Sequence, residues 1–219
     1  LNGIEFSQKL VSFVTFLPVF FLSLTIHEFA HAYSAYKMGD NTAKDLGRMT
    51  INPLKHIDLI GSVLMPLAAF ASGYALIGWA KPVPVDRGNF KNEMRDDAIV
   101  SFAGPFSNLL LSLFFFAVFV FVFKFGNFLS DYSQSVYNLV WQGFYFNMFL
   151  FFFNLIPIPP LDGVHIAYDI FPNNITARLV NMGLYGSIVL MFFIYSPLWG
   201  FFVKLINLVV KLFVNLAGL

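Results

Sequence analysis

The sequence predicts an all-α polytopic membrane protein with about five or six transmembrane helices, a re-entrant hairpin and short extended segments near a candidate active site. Three observations predict it. Hydrophobic residues make up 58% of the 219 and charged residues 11%, where soluble domains carry about 25% charge. The mean hydropathy is +0.72, and the apolar residues come in runs long enough for a ~30 Å hydrocarbon core. The cations gather in two polar stretches, as loops on one side of a membrane require. A net charge of +1 gives no basic surface for nucleic acid. The absence of cysteine excludes disulfides, thiolate ligands and a Cys nucleophile.

Leu10–Met38 is the first span, closed by Gly39 and Asp40. No cleavable leader pattern precedes it, so it is expected to stay in the membrane. A polar stretch to Asp58 follows, and then Leu59–Trp79, apolar but interrupted by Gly61, Pro66, Gly73 and Gly78. Lys81–Asp97 is polar and opens on alternating Pro and Val, a pattern for extended or edge-strand backbone. Ala98–Phe125 and Val136–Ile156 are further spans, the second stopped by Pro157, Pro159 and Pro160. Leu179–Tyr195 and Trp199–Leu216 form a last hairpin turned at Ser196-Pro197. No repeat or second domain interrupts the chain, and residues 1–219 read as one transmembrane domain. The 30 Phe are expected on lipid-facing surfaces and in helix packing.

Eight of the 13 Lys and Arg lie in the two polar stretches, counting Lys37 at the end of the first span, whereas Gly126–Ser135 has none. Positive charge marks the cytoplasmic side, so both stretches are expected there, with the N-terminus outside. Two stretches on one side cannot be joined by a single crossing. Leu59–Trp79 then reads as a re-entrant hairpin, with an ordinary kinked helix as the alternative.

The chemistry centres on His27-Glu28-Phe29-Ala30-His31 in the first span. Two His four apart share one face of a helix and can reach one metal ion. The Glu between them can act as general base toward an attacking water. Such residues in an apolar run are costly and point to function. A third ligand is needed, and Asp162, His165, His56, Asp58 and Asp169 are the candidates. Asp162 is preferred, because it follows a helix broken by three prolines and precedes Gly163. Capping of the following helix is its alternative role. His165 is read as a neighbour of the metal site, not a ligand, and His56 as a loop residue at the interface. Asn108, in Gly104-Pro105-Phe106-Ser107-Asn108, lies about 16 Å along its helix from Asp97. His27 lies about as far back from Met38, so the two reach similar depth. Either a place beside substrate or an interhelical hydrogen bond suits Asn108.

These elements together resemble the site-2 protease family of intramembrane zinc metallopeptidases, in its short bacterial form without PDZ or CBS domains. The matching residues are HEFAH at 27–31, GPFSN at 104–108, NLIPIPPLDG at 154–163 and GWAKPVPV at 78–85. The resemblance implies one zinc per chain, held by His27, His31 and Asp162, with Glu28 as base. It also implies Asn108 and Asn154 at the cleft, contacting substrate backbone or oxyanion. Val164-His165 depart from the family's usual residues after LDG.

The expected reaction is hydrolysis of peptide bonds within or near transmembrane segments of membrane protein substrates. The expected setting is the plasma membrane of a bacterium, with the active site toward the cytoplasm. An extended substrate would pair with backbone around Pro82–Val85. The alternatives are a membrane metal transporter and an inactive binding protein of the same fold. A transporter calls for ligands along a path, where this sequence has one cluster. Intact His27, Glu28, His31 and Asp162 speak against the second.

Overall fold

Helix formation follows the apolar runs, since backbone in lipid has to satisfy its own N–H and C=O groups. The computed structural model describes residues 3–72, 78–125 and 133–219, and every regular element among them is helical. The helices are α1 (Gly3–Met38), α2 (Thr42–Asp45), α3 (Met65–Ser72), α4 (Glu93–Phe125) and α5 (Ser133–Asn154). After the proline-rich turn come α6 (Asp162–Ile170), α7 (Asn174–Val180), α8 (Leu184–Tyr195) and α9 (Pro197–Leu216).

α4 is the hub, packed against α1, α5 and α6. Val19 of α1, Phe115 and Phe119 of α4, Phe144 and Met148 of α5 and Ile206 of α9 form the buried core. Much of it is tilted aromatic packing, as where Phe116 meets Phe144 at 4.7 Å between centroids. Polar bonds run through the same interfaces. Asn108 Nδ2 donates to Asn147 Oδ1 at 3.0 Å, and Ser112 Oγ to the Phe144 carbonyl at 3.0 Å. Lipid gives helices little hydrophobic reason to associate, so such bonds help choose partners.

Among the described residues, three helices are long and apolar enough to cross a membrane, over Lys9–Met38, Glu93–Phe125 and Pro197–Leu216. α5 is long enough too and carries no charge, but five amide side chains lower its hydropathy. The expected single helix Leu179–Tyr195 is instead broken. α7 ends at Val180, and the α7 and α8 axes bend by 97°.

In Leu59–Trp79, a π-helical turn over Leu59–Leu64 leads into α3, and Gly73 lies outside the described residues. The two ends of this segment adjoin. Trp79 N–H donates to the Gly61 carbonyl at 3.2 Å and Ser62 Oγ to the Trp79 carbonyl at 2.7 Å. Two residues on, Lys81 N–H donates to the His56 carbonyl at 2.8 Å. His56 is the loop residue expected, in the turn after Pro53–Lys55, but its side chain is buried, with Nε2 2.8 Å from the Thr50 carbonyl.

Of the two forms expected at Pro82–Val85, extended or edge-strand backbone, no strand is formed among the described residues. The chain there is irregular, because two prolines offer no N–H to a ladder and Arg48 Nη2 takes the Lys81 carbonyl at 2.7 Å.

Candidate active site

α1 puts His27, Glu28 and His31 on its inner face, all buried despite their polarity. Each imidazole is held from behind by α4. His31 Nδ1 lies 2.8 Å from the Val100 carbonyl, which can only accept, so that nitrogen carries the proton. His27 Nδ1 lies 2.7 Å from Asn108 Oδ1. The Asn108 amide nitrogen is engaged by Asn147 Oδ1 and by the Ser23 carbonyl at 3.3 Å, which fixes the amide orientation and makes His27 Nδ1 a donor too. Both Nε2 atoms therefore present lone pairs to one another, 3.0 Å apart.

The third member arrives from the proline turn. Asp162 opens α6, yet no side chain caps that helix. Its carboxylate turns to the imidazoles, with Oδ2 3.2 Å from His27 Nε2 and Oδ1 3.4 Å from His31 Nε2. Gly163 makes the approach possible. A Cβ there would lie 2.5 Å from the Ile156 carbonyl oxygen and closer still to that of Leu155, so α6 tucks under the end of α5 only without one.

These residues suit a metal ion. Among the described residues, His27, His31 and Asp162 are the one group of three His or acids whose ligand atoms all fall within 4.8 Å. Four ligands about 2.0–2.2 Å from a tetrahedral zinc stand roughly 3.3–3.6 Å apart; the two Nε2 atoms here are 3.0 Å apart, with one Asp162 oxygen 3.2 Å from His27 Nε2 and the other 3.4 Å from His31 Nε2. Asp162 Oδ2 is buried without a hydrogen-bond donor. Three acceptors facing one point with no proton between them call for a cation.

Glu28 lines the same cavity, of about 430 Å³, with Trp79, Val83, Phe153, Asn154 and Asp162 in its wall. Its Oε2 accepts from the Val83 N–H at 2.7 Å. Gly104 closes the back of the site. A Cβ there would sit 2.7 Å from His27 Cε1 and closer still to the His31 ring, so α4 meets α1 here only through glycine.

Of the residues singled out by sequence, His27, Glu28, His31, Asp162, Asn154 and His165 all line the cavity. Asn108 lies behind His27, fully buried, and spends its amide on internal bonds. Asn154 Nδ2 donates to the Leu150 carbonyl at 3.0 Å. His165 turns from the acceptor cluster to Asp97, with Nδ1 3.5 Å from Oδ2. Asp169 meets Arg87 instead, at 2.6 Å, and Asp58 caps the turn at Leu59 by accepting from the Ile60 and Gly61 N–H groups. Sequence reading missed the Val100 carbonyl, the Val83 N–H and Arg87. The first two are backbone groups that no residue type announces, and Arg87 had only a basic stretch to mark it.

The fold and the acceptor cluster together define an intramembrane zinc metalloprotease of the site-2 type. Residues 15–136 and 126–194 match the peptidase family M50 model, and the chain belongs to that family. It is 41% identical over 178 residues to YwhC of Bacillus subtilis, covering 81% of this chain and 78% of YwhC. It is 32% identical over 155 residues to Rip2 of Mycolicibacterium smegmatis, covering 69% of this chain and 55% of Rip2. A more distant match, 33% over 94 residues, is MJ0611 of Methanocaldococcus jannaschii, covering 43% of this chain and 44% of MJ0611. All three carry zinc metalloprotease names. No solved structure matches the chain.

Proposed function

We propose that the protein cuts peptide bonds within or near the transmembrane segments of other membrane proteins, with His27, His31 and Asp162 holding one zinc and Glu28 as general base. The observation that carries this is the shared cavity, in which Glu28 stands beside three converging acceptors within an apolar helical bundle. Zinc held there supplies Lewis-acid activation of water and of the scissile carbonyl. Glu28 takes the proton of the attacking water and delivers it to the leaving amine. The Val83 N–H holds its carboxylate in place meanwhile. Asn108 and the Val100 carbonyl keep the two imidazoles from turning. Asn154 contacts substrate backbone or oxyanion, a reading supported by its place in the cavity wall. A helical substrate hides its peptide bonds, so it unwinds before attack and lies extended beside Pro82–Val85.

Residues 1–219 act as one domain of five or six membrane segments in a bacterial plasma membrane. Leu59–Trp79 re-enters without crossing, with both basic stretches and the site toward the cytoplasm. The adjoining ends of that segment support this, since one crossing would part them by about 30 Å.

Cleavage of single-span proteins by the reconstituted chain tests the reaction. Glu28→Gln should keep zinc and lose about 100-fold or more in turnover, and turnover near wild type would sink the assignment. Single cysteines at the exposed Asp45 and Lys91 positions test the topology. An impermeant thiol reagent should label both from the cytoplasmic face, and labelling from opposite faces would make Leu59–Trp79 a span.

A further inference from the structure

Arg87 stands outside the cavity wall and takes no part in the hydrolysis above, yet three carboxylates converge on it. We propose that Arg87 is a positioning residue for the metal centre. It clamps the helix bearing Asp162 onto the helices that bear and seat the two histidines, and so sets how tightly zinc is held. The inference rests on Asp162 being a ligand.

Helix α6 is only nine residues long, and it packs on α4 and α7. Asp162, His165 and Asp169 follow one another at i, i+3 and i+7 and so share a face. The first reaches the imidazoles and the second Asp97. The third accepts from Arg87 Nη2 at 2.6 Å, and its side chain is buried. Arg87 also lies with Nη1 3.3 Å from Asp97 Oδ2 and Nε 3.5 Å from Glu93 Oε1, both on α4. Its guanidinium carbon stands 5.4 Å from the centre of the Tyr168 ring, a second hold on α6.

Asp97 lies one turn before Val100, whose carbonyl seats His31, so the clamp closes on the stretch of α4 that orients a histidine. The clamp is also tied to α1. The turn over Arg87–Asn89 hangs from Asp40, buried just past the end of that helix. Asp40 accepts from the Asp86 N–H at 2.9 Å and from Asn89 Nδ2 at 2.8 Å. α1, which supplies two acceptors, and α6, which supplies the third, are thus joined through one guanidinium. Without it, the Asp97 and Asp169 carboxylates would face each other with only His165 beside Asp97, and α6 would draw away.

The test is a double-mutant cycle on zinc affinity in the purified full chain, read by competition with a chromogenic chelator. Arg87→Gln should weaken zinc about 10–100-fold. Arg87→Lys keeps the charge but cannot span three carboxylates, and should weaken it less. In an Asp162→Ala background neither change should weaken zinc further, because the position of α6 no longer matters to the metal. Where Arg87→Gln does not fold, Arg87→Lys carries the same cycle.

Wild-type affinity in both Arg87 variants would overturn the inference. So would an equal loss with and without Asp162, since Arg87 would then be acting on the fold at large. Wild-type affinity in Asp162→Ala alone would instead overturn the ligand set, a failure the cycle reports separately.

Discussion

Gly104→Ala adds one methyl group where α4 meets the metal-binding face of α1. That methyl would stand 2.7 Å from His27 Cε1 and nearer to the His31 ring, inside any distance a Cβ tolerates. Neither ring can yield freely. His27 would give up its bond to Asn108 and His31 its bond to the Val100 carbonyl, each worth about 1 kcal/mol. The helices part instead, and overpacking of this kind costs about 1–3 kcal/mol. Strain falling on the histidines converts to a loss of about 5–150-fold in zinc affinity. Chelator competition reads the affinity, and thermal unfolding in the same detergent reads the stability. Gly200→Ala is the control, since nothing lies within 4 Å of a Cβ there. Wild-type zinc affinity and stability in Gly104→Ala would refute the claim that close approach at this glycine builds the site.

Other substitutions separate the remaining roles. Asn108→Ala strips His27 Nδ1 of its acceptor and Asn147 of its donor, so zinc should weaken about 10–100-fold, whereas Asn154→Ala should keep zinc and lower kcat/KM. Equal zinc affinity in the two would return Asn108 to helix packing alone. Val83→Pro removes the N–H that holds Glu28, a bond to a charge worth about 1.5–3 kcal/mol; turnover should fall roughly 10–100-fold with zinc retained, and undiminished turnover would show that bond to be idle. Burial, and then the nearby Asp97, push the Asp169 carboxyl up to about 7 against the pull of Arg87. From about pH 4, the unfolded value, to about 7, the folded chain holds a proton the unfolded chain has lost, so this group's contribution falls as pH rises. Asp169→Asn should flatten that decline in a plot of unfolding temperature against pH, and parallel curves for mutant and wild type would remove Asp169 as its source.

The helical class and the metal cluster were legible because both follow from local rules. Apolar runs name helices in lipid, and two histidines four apart share a face wherever the helix lies. Asp162 was legible through the prolines that free it from a helix. The break between α7 and α8 was not, since the hydrophobic run resumes at once after Asn181 and Gly183, and the turn shows only in the positive φ that Gly183 adopts. The irregular course of Pro82–Val85 turns on Arg48 and Glu28, which lie far off in sequence and take the groups a strand would have used. Asn108 had two roles open to it, and only the third dimension shows that its amide is spent on His27 and Asn147.

The order in which the chain leaves the ribosome bears on the metal centre. The histidine pair is made with the first helix, while the backbone carbonyl that seats His31 follows 69 residues later and the amide that seats His27 follows 81 later. The acid that joins them comes later still, after α5 and the proline turn. A nascent chain therefore carries two unsupported imidazoles until α4 is made, and gains its third donor only after α5. A chain made only as far as α5 therefore holds no complete centre.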